Sequence, residues 1–344
     1  MKLLKLLITT SVLFTVLGLS GCSTTDEVAS EYPEEVNFGV LRVPNDEILA
    51  IASNILQDNF TELGIEVNLI PFDSGVQANA AFASDSIDFA TMGNTNSIIA
   101  LSKDLDVELI WIHEVLGEVE ALVVKDESIT EVEQLKGKKI ATPFASTSHY
   151  ILLNVLKEAG IENDVTLLDM KTAEIVAAWI RGDIDAAYTW QPTLGELLKD
   201  GSMLVSSADM VEKGYVTANV ECVRSAFAEE YPELVALYIS SLAEAQELYK
   251  NDQETAVEYM ATELDISIEE TKSVIKGSIW VDRSDLLSSE FFGTSDNSGN
   301  FANIMKDTSD FLLEQNSVDN SKDLSEFQSF VNPEYIEMSI ENDK

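Results

Sequence analysis

Short apolar runs alternate with amphipathic stretches along residues 36–112. Residues 36–41 and 65–70 are rich in β-branched side chains and are typical of strands, whereas residues 46–63 carry apolar side chains at helical spacing. The pattern then predicts, in chain order, a helix at 74–83, a strand at 87–91, a helix at 94–102 with Asn94 as N-cap, and a strand at 107–112. Such alternation predicts an α/β fold with a mostly parallel sheet covered by helices on both faces.

A second run of the same kind follows residues 120–124 (EALVV), which are apolar after Glu120. The predicted strands are 138–142, 165–168, 184–188 and 203–205, and the predicted helices are 146–159, 172–181 and 193–199. From residue 231 onward the pattern is mainly helical, with an exposed loop predicted at 293–300. We therefore expect a first lobe formed by residues 36–124 and completed by residues 219–344, and a second lobe formed by residues 125–218.

The first 22 residues are typical of a targeting segment. Lys2 and Lys5 precede an apolar stretch at 6–19 that is shorter than the roughly 20 residues needed to span a bilayer. The stretch ends in Leu-Ser-Gly-Cys, which resembles a bacterial lipobox with Cys22 as the lipidated residue. We expect a signal peptide at 1–21, a flexible tether at 22–35, and an extracytoplasmic protein anchored to the bacterial cell membrane. A plain signal peptide with an incidental cysteine is the alternative.

Acidic residues greatly outnumber basic ones. The 344 residues include 61 Asp and Glu against 21 Lys and Arg, a formal charge of −40. Removal of residues 1–21 would take away two lysines and no acid, which makes the charge −42. A surface this acidic repels the phosphate backbone of DNA and RNA, so nucleic-acid binding is excluded as a class of function.

Motifs for nucleotide binding and for hydrolysis are absent from the sequence. It has no G-x-G-x-x-G, no Walker A sequence and no G-x-S-x-G, and its two histidines, His113 and His149, are too far apart for a zinc pair on one helix face. With Cys22 lipidated, Cys222 has no disulfide partner and is expected to be a small buried apolar residue. We therefore expect a binding protein with no catalytic residue, no metal and no cofactor, and with its ligand in a cleft between the lobes.

Four segments, taken in order, resemble the substrate-binding proteins of taurine and alkanesulfonate ABC transporters. They are 72–75 (FDSG), 120–125 (EALVVK), 143–150 (PFASTSHY) and 177–192 (AAWIRGDIDAAYTWQP). The similarity extends from about residue 36 to residue 232. It implies a type II periplasmic-binding-protein fold, in which two α/β lobes joined by a two-strand hinge close on a solute. It also implies a monomer that delivers taurine or a related small sulfonate to the permease and ATPase subunits of an importer.

The helix predicted to start at residue 146 has the features of an anion site. Its first turn presents unpaired backbone N–H groups and the positive end of the helix dipole, where an oxyanion such as a sulfonate is stabilised. Ser146, Thr147 and Ser148 are therefore candidate ligand residues, and Ser146 can also cap the helix. Asn94 and Thr95 begin another helix expected to face the same cleft, with capping alone as the alternative role.

A taurine ligand would also need a partner for its ammonium group. By their positions in the matching segments, the candidates are Glu47, Glu120 and Trp190, the last through cation–π attraction. Related taurine binders tend to place an aspartate for the amine where this chain has Asn219, whose amide is uncharged, so Glu120, Glu47 or Glu221 would have to compensate. An alkanesulfonate, a nitrate-like anion and another zwitterion therefore remain alternative ligands.

Two other classes of function are open at this point. One is an enzyme on the same fold that acts on a small sulfur or pyrimidine compound. The other is a membrane-tethered sensory or adhesive domain without a permease. Trp179, at helical spacing with Ile175, is expected to pack in the core of the second lobe and to take no part in binding.

Overall fold

Two large mixed sheets with flanking helices, and a small two-stranded antiparallel sheet late in the chain, form the protein in a computed structural model that describes residues 32–342. The predicted signal peptide, Cys22 and most of the predicted tether lie outside the described residues. The strands are β1 (Glu35–Leu41), β2 (Glu66–Phe72), β3 (Phe89–Gly93), β4 (Val107–Leu116), β5 (Glu120–Val124), β6 (Lys139–Thr142), β7 (Thr166–Asp169), β8 (Ala186–Trp190), β9 (Ser202–Ser206), β10 (Ala218–Arg224), β11 (Ser278–Trp280), β12 (Gly293–Thr294) and β13 (Asn297–Ser298).

The helices cover the faces of the sheets and dominate the last third of the chain. They are α1 (Asp46–Ala52), α2 (Ile55–Thr61), α3 (Gly75–Phe82), α4 (Asn94–Ser102), α5 (Thr147–Glu158), α6 (Thr172–Arg181), α7 (Thr193–Leu197), α8 (Ser207–Val211), α9 (Ser225–Glu230), α10 (Pro232–Asn251), α11 (Gln253–Leu264), α12 (Ile268–Lys276), α13 (Arg283–Leu286), α14 (Phe301–Glu314), α15 (Leu324–Phe330) and α16 (Glu334–Asn342). Within residues 32–342, no helix combines the length and apolar character needed to cross a membrane.

Both sheets are mixed, which corrects the expected mostly parallel arrangement. The larger has the order β11-β4-β10-β3-β1-β2, with β1 parallel to β2 and β3, and with β10 antiparallel to β3 and β4. The smaller has the order β7-β6-β8-β5-β9, with β6 parallel to its neighbours and β5 antiparallel to its own. The antiparallel pairing of β10 with β4 arises because the chain leaves the larger sheet along β4 and returns to it along β10, so the two strands run in opposite directions.

The expected boundary at residue 124 differs from the observed pairing. Strand β5 (Glu120–Val124) pairs with β8 and β9, so it belongs to the smaller sheet and not to the first one. The chain passes between the sheets at residues 117–119 and again at 207–217. An apolar strand of five residues pairs equally well with either sheet, so its composition could not place the boundary.

Two of the predicted helix features were wrong in detail. The single helix expected at 46–63 is broken between α1 and α2, where Asn54 adopts a left-handed conformation with φ of 63° and Ser53 Oγ donates to Leu49 O at 2.6 Å. Asn tolerates this conformation better than most residues, which explains the break. Helix α4 begins as expected at Asn94, but its N-cap is Gly93, and the Asn94 side chain does not cap the helix.

Alternating side chains of β5 pack on opposite faces of the smaller sheet. Ala121 and Val123 belong to a core with Trp179 of α6, as expected for Trp179, whereas Leu122 and Val124 join the large core that includes the helix α5. Both faces of this strand are thus covered, which explains why its residues 121–124 are all apolar. Cys222 of β10 is fully buried and unpaired, which confirms its expected role as a small core residue.

Candidate functional site

A cavity of about 490 Å³ is lined by residues from both sheets. The strands that pair in parallel reach it with their carboxyl ends, through Leu41 and Gly93 on one side and Asp169 and Trp190 on the other. Ligands of open α/β sheets bind at this end of the strands, because the helices that follow begin there. The cavity is therefore the candidate binding site.

The start of α5 lies in the cavity wall and is built by a strained turn. Pro143 follows the last residue of β6, and Ala145 adopts a left-handed φ of 59°, which is uncommon for a residue other than glycine. Ser146 caps the helix as predicted: its Oγ accepts from His149 N at 3.2 Å and donates to Pro143 O at 2.6 Å. Both Ser146 and Thr147 line the cavity.

The hydroxyl groups of the first turn of α5 are directed to Glu120. Thr147 Oγ1 and Ser148 Oγ donate to Glu120 Oε1, the latter at 2.8 Å. Ser207 and Thr217 donate to Glu120 Oε2 at 2.7 and 3.1 Å. Burial raises the pKa of Glu120, and these four hydroxyls act against that rise by stabilising the charged form.

The engagement of Glu120 changes the roles expected at α5. Glu120 lines the cavity, but four protein hydroxyls occupy its two oxygens, so it is poorly placed to receive an ammonium group. Ser148 does not line the cavity. Thr147 does line it, and the backbone N–H of Thr147 has no acceptor within its helix.

At the start of α4 the structure places a different residue at the cavity from those predicted. Asn94 donates to Val216 O and accepts from Ala218 N, both at 3.3 Å, and Thr95 Oγ1 is buried without a hydrogen-bond partner in the described part of the chain. Neither lines the cavity, whereas Asn96 does. Its Nδ2 donates to Ala145 O at 2.8 Å and so links α4 to the turn before α5.

Two glycines allow the walls of the cavity to approach closely at this point. A Cβ at Gly93 would lie 2.8 Å from Thr147 Cγ2, and a Cβ at Gly75 would lie 2.5 Å from Asn96 Cγ. A larger residue at either position would push the wall outward.

Glu47 lies in the core of the larger sheet and not in the cavity. Its Oε2 lies 2.6 Å from Thr91 Oγ1, its Oε1 accepts from Tyr238 at 3.0 Å, and burial with the nearby Glu221 raises its pKa to about 8. Its expected contact with an ammonium group is thus not compatible with its position. Glu221 is equally buried and does not line the cavity.

The ligand atoms of Glu47, His113 and Glu221 lie within 4.8 Å of one another, a grouping that could hold a metal ion. His113 Nδ1 contacts Asp46 Oδ1 at 2.6 Å and its Nε2 contacts Glu221 Oε2 at 3.0 Å. Burial opposes the charged ring, but these two carboxylates raise the pKa of His113 well above its ordinary value. Hydrogen bonds thus account for the grouping without an ion.

Asn219 lines the cavity together with a carboxylate that the sequence analysis missed. Asn219 Nδ2 donates to Oε1 of Glu114, a residue of β4 that is 3% exposed. Burial raises the pKa of Glu114 to about 7, while His113 and Asn219 act in the opposite direction. The predicted strand ended at residue 112 and so left Glu114 out. An acid inside the otherwise apolar run of β4 was the signal that could have found it.

Aromatic and charged groups complete the wall. Trp190 lines the cavity at the end of β8, where the sequence predicted it. Phe144 stacks on the His149 ring with centroids 4.3 Å apart, and burial lowers the pKa of His149 to about 4, so that ring is neutral at physiological pH. Among the described residues that line the cavity, Lys171 is the sole cation.

Comparisons with known proteins identify the fold and the family. Residues 35–270 match the model for the substrate-binding domain of the ABC-type glycine betaine transport system. The taurine-binding periplasmic protein of Escherichia coli is 40% identical over 189 residues, which are 55% of this chain and 59% of that protein, so the match spans less than two thirds of the relative.

Solved structures agree at the level of the fold. The crystal structure of the periplasmic aliphatic sulphonate binding protein of Escherichia coli is 21% identical, with a TM-score of 0.71 over 86% of this chain and 92% of that one. The desulfurization enzyme DSZB is 18% identical, with a TM-score of 0.66 over 91% of this chain and 100% of that one. The predicted type II periplasmic-binding-protein fold is confirmed. The chain belongs to the family of substrate-binding domains of ABC-type transport systems that the glycine betaine model describes.

Proposed function

We propose that the protein is the extracytoplasmic solute receptor of an ABC importer, binds taurine or a related small sulfonate in the cavity, and delivers it to the permease. The observation that carries the proposal is the start of α5 in the cavity wall, where Ser146 caps the helix and the N–H of Thr147 has no acceptor within it. The 40% identity to a taurine-binding protein supports the choice of ligand.

The sulfonate would lie against the first turn of α5. Hydrogen bonds to a charged group contribute about 1.5 to 3 kcal/mol each, so the Thr147 N–H and the helix dipole give micromolar affinity only with help from other contacts. Asn96 and the Trp190 ring lie in the same cavity wall and would supply those contacts. No covalent chemistry is required of any residue.

The receptor would act as a monomer tethered to the membrane through lipid on Cys22. Removal of residues 1–21 would expose this cysteine, and residues 22–34 would connect it to the first residue of β1, Glu35. Closure of two lobes about the connections at 117–119 and 207–217 would then present the loaded protein to the permease.

Calorimetry on residues 23–344, which include the whole compact unit Tyr32–Lys344, tests the proposal. Taurine and ethanesulfonate should give saturable heat, while glycine betaine and nitrate should bind more weakly or give none. The absence of a binding heat for both sulfonates at millimolar concentration would contradict the proposed function.

An enzymatic function is the second candidate, because the desulfurization enzyme DSZB shares the fold. In this chain the thiol of Cys222 is fully buried, and burial raises its pKa well above the ordinary value, so it is a poor nucleophile. Chromatography of the solute after prolonged incubation separates the two functions, because a receptor returns taurine unchanged and an enzyme does not.

A further inference from the structure

One oxygen of the buried Glu114 carboxylate has no hydrogen-bond partner in the described part of the chain. Glu114 lines the cavity and is 3% exposed, and its Oε1 accepts from Asn219, but Oε2 is buried and accepts no hydrogen bond within residues 32–342. The Asn45 side chain is near enough to lower the pKa of Glu114, yet Asn45 Nδ2 is also without a hydrogen bond there. A buried carboxylate with an unused oxygen is costly unless a partner arrives.

Within residues 32–342, no side chain supplies a cationic partner for that oxygen. The nearest cationic group is His113, but its two ring nitrogens face Asp46 and Glu221. Lys171, the cation at the cavity wall, is exposed to solvent. A cation on the ligand would therefore meet a carboxylate that has one oxygen free and no competing charge partner among the described side chains.

The other acids of the cavity wall are less suited to this role. Glu120 accepts four hydroxyl hydrogen bonds, Asp169 Oδ1 accepts from Phe144 N at 2.9 Å, and Asp73 is exposed on the loop after β2. An exposed carboxylate binds an ammonium group weakly because water competes for both partners. Glu114 combines burial with an unused acceptor.

Granted the proposed function, we propose that Glu114 binds the cationic group of the ligand and thereby restricts the ligands of this site to zwitterionic aminosulfonates in preference to simple alkanesulfonates. Asn219 is the positioning residue, since its amide donates to Oε1 and leaves Oε2 for the ligand. An aspartate at position 219 would instead place two carboxylates side by side. The Asn219–Glu114 pair supplies one negative charge. The charge is on Glu114 of β4, and the neutral amide of Asn219 on β10 holds it in place.

Taurine and ethanesulfonate form the matched pair of ligands for the test, because they share the two-carbon sulfonate and differ in the ammonium group. Residues 23–344 should bind taurine at least about tenfold more tightly than ethanesulfonate, as expected for a charge-assisted contact. Glu114→Gln keeps the shape and an acceptor for Asn219 but removes the charge. This substitution should weaken the affinity for taurine about tenfold and leave the affinity for ethanesulfonate within about threefold of the wild-type value.

Glu108→Gln is the control, since Glu108 lies on the same strand, is held by Asn332 and Tyr335, and does not line the cavity. It should leave both affinities unchanged. If Glu114→Gln weakens the affinity for both ligands equally, or for neither, the proposed role of Glu114 is overturned while the receptor function stays intact. If the variant fails to fold, the wild-type protein still tests the proposal. Wild-type binding of ethanesulfonate or N-acetyltaurine as tightly as taurine would overturn it. Failure of wild type to bind any sulfonate would overturn both proposals.

Discussion

Thr147 offers the ligand and the protein two separate groups. Its hydroxyl donates to Glu120, which fastens α5 to β5, while its backbone N–H lies in the first turn of the helix, where no intrahelical acceptor exists. The hydroxyl therefore serves the structure, and the N–H is left for the proposed sulfonate.

A pair of substitutions separates these two groups. Thr147→Ala removes only the hydroxyl, whereas Thr147→Pro also removes the N–H at the first helical position, where proline is tolerated. Ser146 has an extended backbone with φ of −111° and ψ of 170°, which is compatible with a following proline. Calorimetry should find Thr147→Pro about tenfold weaker for taurine than Thr147→Ala. Equal affinity of the two variants would exclude this N–H as a ligand.

Glu114 should make the affinity for taurine depend on pH. Burial and the neighbouring Asp46 raise its pKa, His113, Asn219 and Asn45 lower it, and the result is about 7. An ammonium group favours the ionised carboxylate, so the affinity should fall about tenfold between pH 8 and pH 6. Ethanesulfonate titrated at the same two pH values should show no such fall. A fall of equal size for both ligands would point to another titrating group.

At the scale of the elements, α1, β3 and β10 are joined by a buried network around Thr91. Thr91 Oγ1 lies 2.6 Å from Glu47 Oε2 and 2.9 Å from Glu221 Oε2. One hydroxyl proton can serve only one of these contacts, so a carboxyl proton must serve the other. Glu47, with its pKa raised to about 8 by burial and Glu221, is the group that carries this proton near neutral pH.

The proton on Glu47 predicts that the stability of the fold decreases as the pH rises. Between the ordinary pKa of about 4.5 and the folded value of about 8, the native protein binds more protons than the unfolded chain, so the free energy of unfolding falls with increasing pH. Glu47→Gln, which needs no proton, should flatten this slope in urea denaturation between pH 5 and pH 9. Glu62→Gln, an exposed change of the same charge, should keep the wild-type slope. Parallel slopes for all three proteins would refute the shared proton.

Much of the fold could be predicted from the order of apolar and polar positions, because buried side chains recur at a different spacing in the helices of this protein than in its strands. Strand β6 stops before Pro143, and α6 spans the residues predicted for it, since its apolar face includes Ile175 and Trp179. The pairing partner of β5 could not be predicted, because a strand buried on both faces carries no mark of its sheet.

Site residues could be predicted from the sequence where they lie at a helix start or a strand end. They could not be predicted where their position depends on contacts between distant parts of the chain. Ser146 and Trp190 follow from local rules about helix starts and strand ends. Glu47, Asn94 and Glu114 depend on which strand lies beside which. The side chain of Asn94 bonds to residues more than a hundred positions away, and that of Glu114 meets Asn219 across the β4–β10 pair. Local sequence carries no information about such contacts.

For the whole molecule, the excess of acid should make stability depend on salt. A formal charge of −40 creates repulsion that ions screen beyond about 8 Å at physiological ionic strength. Surface ion pairs such as Lys157–Glu314, Lys199–Glu196 and Lys250–Glu247 are largely solvent-exposed and contribute little to offset this. Melting temperature should therefore rise between about 20 mM and about 500 mM NaCl, and equally with KCl. A decrease would mean that local ion pairs outweigh the repulsion.

The most direct measurement is a crystal structure of residues 23–344 grown with taurine. The account predicts a sulfonate oxygen within hydrogen-bond distance of the N–H of Thr147, and the ammonium nitrogen beside Glu114 Oε2. Taurine bound elsewhere, or with its ammonium group on Glu120 and its sulfonate away from α5, would contradict it.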